Sequence, residues 1–197
     1  MNKMYDELIK EVNTYGYDYK TINDLLKIGK KDKILIPVLL KWIDKFDDPD
    51  DKTWLARCLT VKGYIEATER LLKLYYELDE KKSDKWAVGN ALCVIEDKRY
   101  VDEYIKIITN KENGDSRQMI VYGMGAYSNE DKVKKVLIDL LSDEDVNSHA
   151  MHALSKFKDI ELIKYIEPFL NHKMAFKRNR AKKTIKKLEK LRKIENE

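Results

Sequence analysis

Residues 146–170, VNSHAMHALSKFKDIELIKYIEPFL, decide the fold. Val146, Ala150, Ala153 and Leu154 fall at i, i+4, i+7 and i+8, a single apolar stripe on a 3.6-residue period. Phe157 follows three residues after Leu154, a polar turn carries Asp159, and a second apolar helix starts near Leu162. The stretch reads as a helical hairpin that cannot bury its own stripe.

The same pattern recurs upstream. SRQMIVYGMGAYSNEDKVKKVLIDLL (116–141) repeats it with Met124, Tyr127 and Val133, and DKWAVGNALCVIEDKRYVDEYIKII (84–108) with Leu92, Ile95 and Val101. TWLARCLTVKGYIEATERLLKLYY fits around Leu59, and TINDLLKIGKKDKILIPVLLKWI around Leu25, Ile28 and Ile34. The anchors at 25, 59, 92, 124 and 154 lie 34, 33, 32 and 30 residues apart. Self-similarity at such a period marks stacked helix pairs. The second helices keep the spacing, with Val133, Val136, Leu137 and Leu140 in one unit and Val101, Tyr104, Ile105 and Ile108 in another. Ala91, Gly123 and Ala153 share one recurrent position, where a close helix crossing requires a small residue. NKENGDS and LSDED, between units, offer Asn, Asp and Ser as N-caps.

These units resemble HEAT-like repeats, most closely in AVGNALCVIEDKRYVDEYI (87–105) and AMHALSKFKDIELIKYIEPFL (150–170). The resemblance covers roughly 19–175 and implies an all-α, armadillo-like α-solenoid of about five helix pairs. It predicts one domain over 1–197, with repeats near 19–51, 52–84, 85–115, 116–146 and 147–175. Asp24 in the first unit departs from the small-residue pattern, as an edge repeat would. Helices over 3–13 and 176–193 are expected as terminal caps, the latter with Ala181, Ile185 and Leu188 as its apolar seam.

Composition agrees with long helices bearing charged outer faces. Only seven Gly and three Pro interrupt 197 residues, and 38% of the side chains are charged. Charge is unevenly placed: residues 172–193 carry eleven Lys or Arg against one Glu, whereas 1–171 carry 28 basic and 32 acidic residues. No apolar run approaches the ~18 residues a membrane span needs, and MNKMYDELIKEV has no signal-peptide core, so a cytoplasmic protein is expected. Cys58 and Cys93 read as buried thiols, since no C-x-x-C occurs.

Candidate chemistry is sparse. His149 and His152 lie about 85° and 145° from the centre of their helix stripe, the flank and the solvent side. The remaining histidine, His172, lies beyond the following helix, and three or four convergent ligands are required for a metal; no metal and no cofactor are expected. Neither a nucleophile elbow nor a Gly-rich phosphate loop is present, so no enzyme is expected. Trp86 stands opposite the core stripe and is a candidate partner-binding anchor, or packs on a neighbouring helix. Arg57, Asn90, Tyr122 and His152 form a polar and aromatic column beside it, suited to a protein partner and equally to ordinary solvated surface.

The tail KMAFKRNRAKKTIKKLEKLRK (173–193) is either a solvated cap or a contact for an acidic protein surface or for nucleic acid, the latter through Lys177, Arg178, Arg180, Lys182, Lys183, Lys186 and Lys187. Its short apolar seam without Trp suits an anionic membrane surface poorly. Alkylpurine DNA glycosylases share the helix-pair architecture. Here, however, Trp86 is followed at i+4 by Asn90 rather than a carboxylate, and the second helices carry mixed charge. The reading is a non-catalytic protein-binding module, with nucleic-acid binding by the tail as the alternative.

Overall fold

A computed structural model of the chain describes residues 3–78 and 82–194, and for 82–83 and 191–194 the backbone alone. The part of the second expected repeat at 79–81 and the tail side chains from 191 onward lie outside the described residues. Every described element is an α-helix or a 3₁₀ turn, so the protein is all-α. The chain groups into two compact units, Met1–Asp97 and Lys98–Glu197, dividing inside the expected repeat 85–115.

Unit 1 holds α1 (Lys3–Asn13), α2 (Ile36–Lys45), α3 (Pro49–Cys58), α4 (Thr68–Glu77) and α5 (Lys82–Ile95). Helix α1 is the expected N-terminal helix; it buries Leu8, Ile9 and Val12 and packs on α2. Trp42 of α2 is buried and donates from Nε1 to Glu11 at 2.9 Å, which fixes that packing. Helices α2 and α4 pack on the following helices, α3 and α5, and α3 also packs on α5. The turn after α3 needs a left-handed residue, and Gly63 supplies it at φ 86° while its N–H donates to Ile95. Thirty-three positions later Glu96 takes the same region at φ 59° without glycine's freedom.

Helix α3 starts where Asp48 precedes Pro49: the Asp48 carboxylate accepts the Asp50 N–H at 2.9 Å, and proline at the first helical position loses no bond. Asp48→Ala is expected to cost about 1 kcal/mol, read as a small downward shift in urea midpoint. An unchanged midpoint would show that the cap contributes nothing.

Unit 2 holds α6 (Val101–Thr109), α7 (Gln118–Gly123), α8 (Asp131–Asp139), α9 (Asn147–Leu154), α10 (Ile163–Ile166) and α11 (Ala175–Ile194). The pattern continues: α7 packs on α9, α6 on α8, and α6, α8 and α10 each on the helix that follows. The expected Asx caps are present, with Asn110 accepting from Glu112 N–H and Asp143 from Asp145 N–H. The five sequence anchors, Leu25, Leu59, Leu92, Met124 and Leu154, are no more than 1% exposed.

The close helix approach falls at Gly125 rather than at Gly123. Ala91 and Ala153 are buried, but Gly123 is only half-buried, and the close approach is made two residues later. A Cβ on Gly125 would stand 3.2 Å from the Ala153 backbone and 2.8 Å from Lys156 Cγ. Helix α7 ends at Gly123 in a 3₁₀ segment, Met124–Tyr127, and this tighter winding carries the contact to Gly125.

Candidate binding surfaces

Helix α11 positions the basic residues. Lys177, Ala181, Thr184 and Leu188 are buried against the preceding elements, and α11 packs on α9, on α10 and on the turn Glu167–Asn171. Thr184 donates to the Met151 carbonyl at 3.2 Å. Taking Ala181 as zero and 100° per residue, Lys183, Lys186 and Lys190 lie on the opposite face, with Lys182 and Lys187 beside them. All five are exposed, and among the described residues none is ion-paired.

Lys177 departs from the sequence expectation of a nucleic-acid contact. It is 3% exposed, and its ammonium donates to the Glu144 carboxylate at 2.7 Å and carbonyl at 2.9 Å. Its place four residues before Ala181 puts it on the packed face, where an external phosphate does not reach it. Lys177 and then His172 hold Glu144 below the usual carboxylate range. Arg178 is half-buried and bonds the carbonyls of His172 and Lys173, so part of its fork closes the turn before α11.

His149 is half-buried, as its place at the flank of the stripe predicts, but His152 is not where spacing placed it. Helix α11 lies over α9, so His152 is half-buried rather than facing solvent. Its ring stacks on Tyr122, 3.8 Å between centroids and 7° between planes. Arg180 Nη1 approaches His152 Nδ1 at 3.0 Å. A guanidinium only donates, so Nδ1 keeps its lone pair and the ring is neutral. Burial, and after it Arg180, Lys156 and Lys187, push His152 down to about 4. Burial, then Arg180 and Lys177, does the same to His149.

Sequence reading held Tyr122 and His152 apart from Arg180 and Lys187, as candidates for different partners. The fold brings Tyr122 and Arg180 onto His152 where α11 crosses α9, with Lys187 close by, and adds Lys156, which spacing did not single out. Lys156 follows α9 and runs over Gly125, and it is exposed. Its signal was its position two residues past an anchor leucine, in a turn that also faces the tail. In unit 1, Arg57 is exposed while Trp86 and Asn90 are half-buried.

A second surface lies between α8 and α10, a groove of about 680 Å³. Ile138 and Tyr165 supply apolar area above the buried Leu162, and Tyr165 is 40% exposed. The rim alternates in sign: Asp131, Asp139 and Glu161 against Lys134, Lys135 and Lys164. Lys134 bridges Asp131 at 3.4 Å and Asp159 at 3.3 Å, tying one wall to the other.

Burial pushes the Cys58 thiol up to about 12 and Cys93 to about 11, which keeps both protonated near neutrality. Among the described residues no group of three or more His, Cys, Asp or Glu is placed to hold a metal ion, and no helix is long and apolar enough to cross a membrane. No protein-family model matches the chain, and no curated protein matches it.

Proposed function

We propose that the chain is a non-catalytic protein-binding module of the cytoplasm, an α-solenoid of about five HEAT-like helix pairs with helical caps. Support for the array comes from contacts within each unit at repeat-like separations. Tyr64 bonds the Gly29 carbonyl, 35 positions away, Lys132 reaches Asp102 across 30, and Tyr122 stacks on His152, also 30 apart. Each second helix packs on the first helix of the next pair, as stacked units that share a core require.

The observation that carries the binding reading is the α8–α10 groove. Its apolar floor and its rim of both signs match the anatomy of a non-obligate protein interface, a desolvated centre inside a polar margin. Alternating rim charge selects a protein segment with apolar residues spaced between charges of both signs. Tyr165 and Ile138 are the anchors, because large side chains at the centre of such patches carry most of the affinity.

Affinity capture from the native host, with the whole chain as bait, tests this. Tyr165→Ala with Ile138→Ala is expected to weaken retention of the captured partner at least about tenfold, since an anchor of this kind carries about 1–2 kcal/mol or more. Lys183→Ala on α11 leaves it unchanged. Equal retention by the groove variant and the wild type would refute the assignment.

A further inference from the structure

We propose that the surface where α11 crosses α9 binds a single-stranded nucleic acid, with Arg180, Lys156 and Lys187 gripping phosphate oxygens beside the Tyr122–His152 stack and the outward lysines of α11 carrying the strand onward.

Charge on this surface is unbalanced. Arg180 meets the half-buried His152 ring at 3.0 Å, Lys156 and Lys187 act on the same ring electrostatically, and among the described residues no carboxylate pairs with any of the three. Burial, and after it the neighbouring Lys156, lowers the Lys187 ammonium below its ordinary range, so Lys187 is held against the repulsion of Lys156. A folded chain has no structural use for that repulsion, whereas an incoming phosphate relieves it. His152 sharpens the geometry. By accepting from Arg180 it fixes one side of the guanidinium and leaves the other donors of the fork free.

The second element is aromatic. Tyr122 is held flat by His152 and remains 36% exposed, a ring pre-oriented to stack an unpaired base. Aromatic faces beside a cationic track are what single strands require, because every base has a π-face and every linkage a charge. A duplex keeps its bases stacked internally and would leave Tyr122 unused. The track continues along Lys183, Lys186 and Lys190, which span about 10 Å of α11 at 1.5 Å per residue. An acidic protein would satisfy the cations but has no need of the exposed ring.

The test is fluorescence anisotropy with a labelled 20-nucleotide single strand, the same sequence as a duplex, and anionic phospholipid vesicles, each from 50 to 300 mM salt. Expected are preference for the single strand and a steep salt slope. Lys156→Ala with Lys187→Ala should reduce that slope by about 0.7 per lysine removed and weaken binding at least about tenfold at low salt. Tyr122→Ala should weaken it about five- to a hundredfold, with Tyr122→Phe restoring it. Lys135→Ala with Lys164→Ala, the same charge change in the α8–α10 groove, leaves affinity within about twofold. Absence of binding at 50 mM salt, equal loss from the groove control, tighter binding to duplex or vesicles, or indifference to Tyr122→Ala would each overturn the proposal. Lys156 and Lys187 are exposed and Tyr122→Phe keeps the stack, so these variants remain informative should Tyr122→Ala unfold.

Discussion

Arg117→Ala is expected to destabilise the protein by about 3–5 kcal/mol, which for a chain of this size lowers the melting temperature by roughly 10 °C. Arg117 is fully buried, although arginine is almost never so unless paired. Its Nε donates to the Gly114 carbonyl at 2.7 Å and its Nη1 to the Ile108 carbonyl at 3.0 Å. Nη1 also lies 2.9 Å from Asp143 Oδ2, and Nη2 lies 3.6 Å from Asp145. One side chain thus joins the end of α6, the loop before α7 and the turn before α9.

Truncation would strand two carbonyls and a nearly buried carboxylate, and that desolvation sets the magnitude. The Asp143 contact is an ion pair without hydrogen-bond alignment, because Arg117 Nη2 and Asp143 Oδ2 both lack a hydrogen-bond partner. Arg117→Lys therefore keeps the charge, gives up the fork to the carbonyls, and should fall between wild type and alanine. Thermal unfolding by circular dichroism decides. A loss below about 1 kcal/mol from Arg117→Ala would mean that water replaces the guanidinium at little cost.

Arg117 also marks where sequence reasoning ran out. The five anchors and most of the second-helix stripes and α11 seam were legible as local periodicities, whereas Ile105, Val136 and Ile185 are only half-buried and Ile34 is 57% exposed. Val133 and Leu137 are fully buried, and so are Ala181 and Leu188. Arg117 sits in SRQMIV as one more charged residue beside a helix start, and nothing local distinguishes a buried guanidinium from a solvated one. Its burial follows from Gly114, whose φ of +51° turns the chain so that three carbonyl and carboxylate groups converge. The shift from Gly123 to Gly125 has a similar cause: α7 ends early, and a change from 3.6 to about 3 residues per turn moves the contact face. His152 was misplaced because its own helix wheel carries no information about what crosses above it. Of the candidate sites, each residue's chemistry was legible; which residues meet was not, since Tyr122, His152, Lys156 and Arg180 belong to different elements.

The coverage of α9 by α11 has its own signature in acid. His149 and His152 both lie near 4 in the folded protein, against about 6.5 in an unfolded chain. Their folded values are depressed, so the unfolded state binds protons more readily and draws stability away as pH falls. The contribution is complete above about 6.5 and disappears progressively down to about 4. Both rings are part-exposed and screened by solvent, so the pair contributes about 2–4 kcal/mol.

The surroundings fix the sign. Arg180 and Lys177 of α11 face His149; Arg180 and Lys187 of α11 face His152, with Lys156 beside them. Carboxylates Asp115, Glu144 and Asp145 share a pocket with His149, but Glu144 is engaged by Lys177 and His172, and Asp145 by Arg117. Protonating His152 also abolishes the lone pair that Arg180 needs, setting two cations about 3 Å apart. Urea midpoints at pH 7, 5.5 and 4.5 should therefore fall, and the fall should shrink in His149→Asn with His152→Asn, which titrate nothing. Carboxylates that lose their partners in acid act equally in both proteins and cancel from the difference. Identical pH profiles would show that α11 does not shelter these rings.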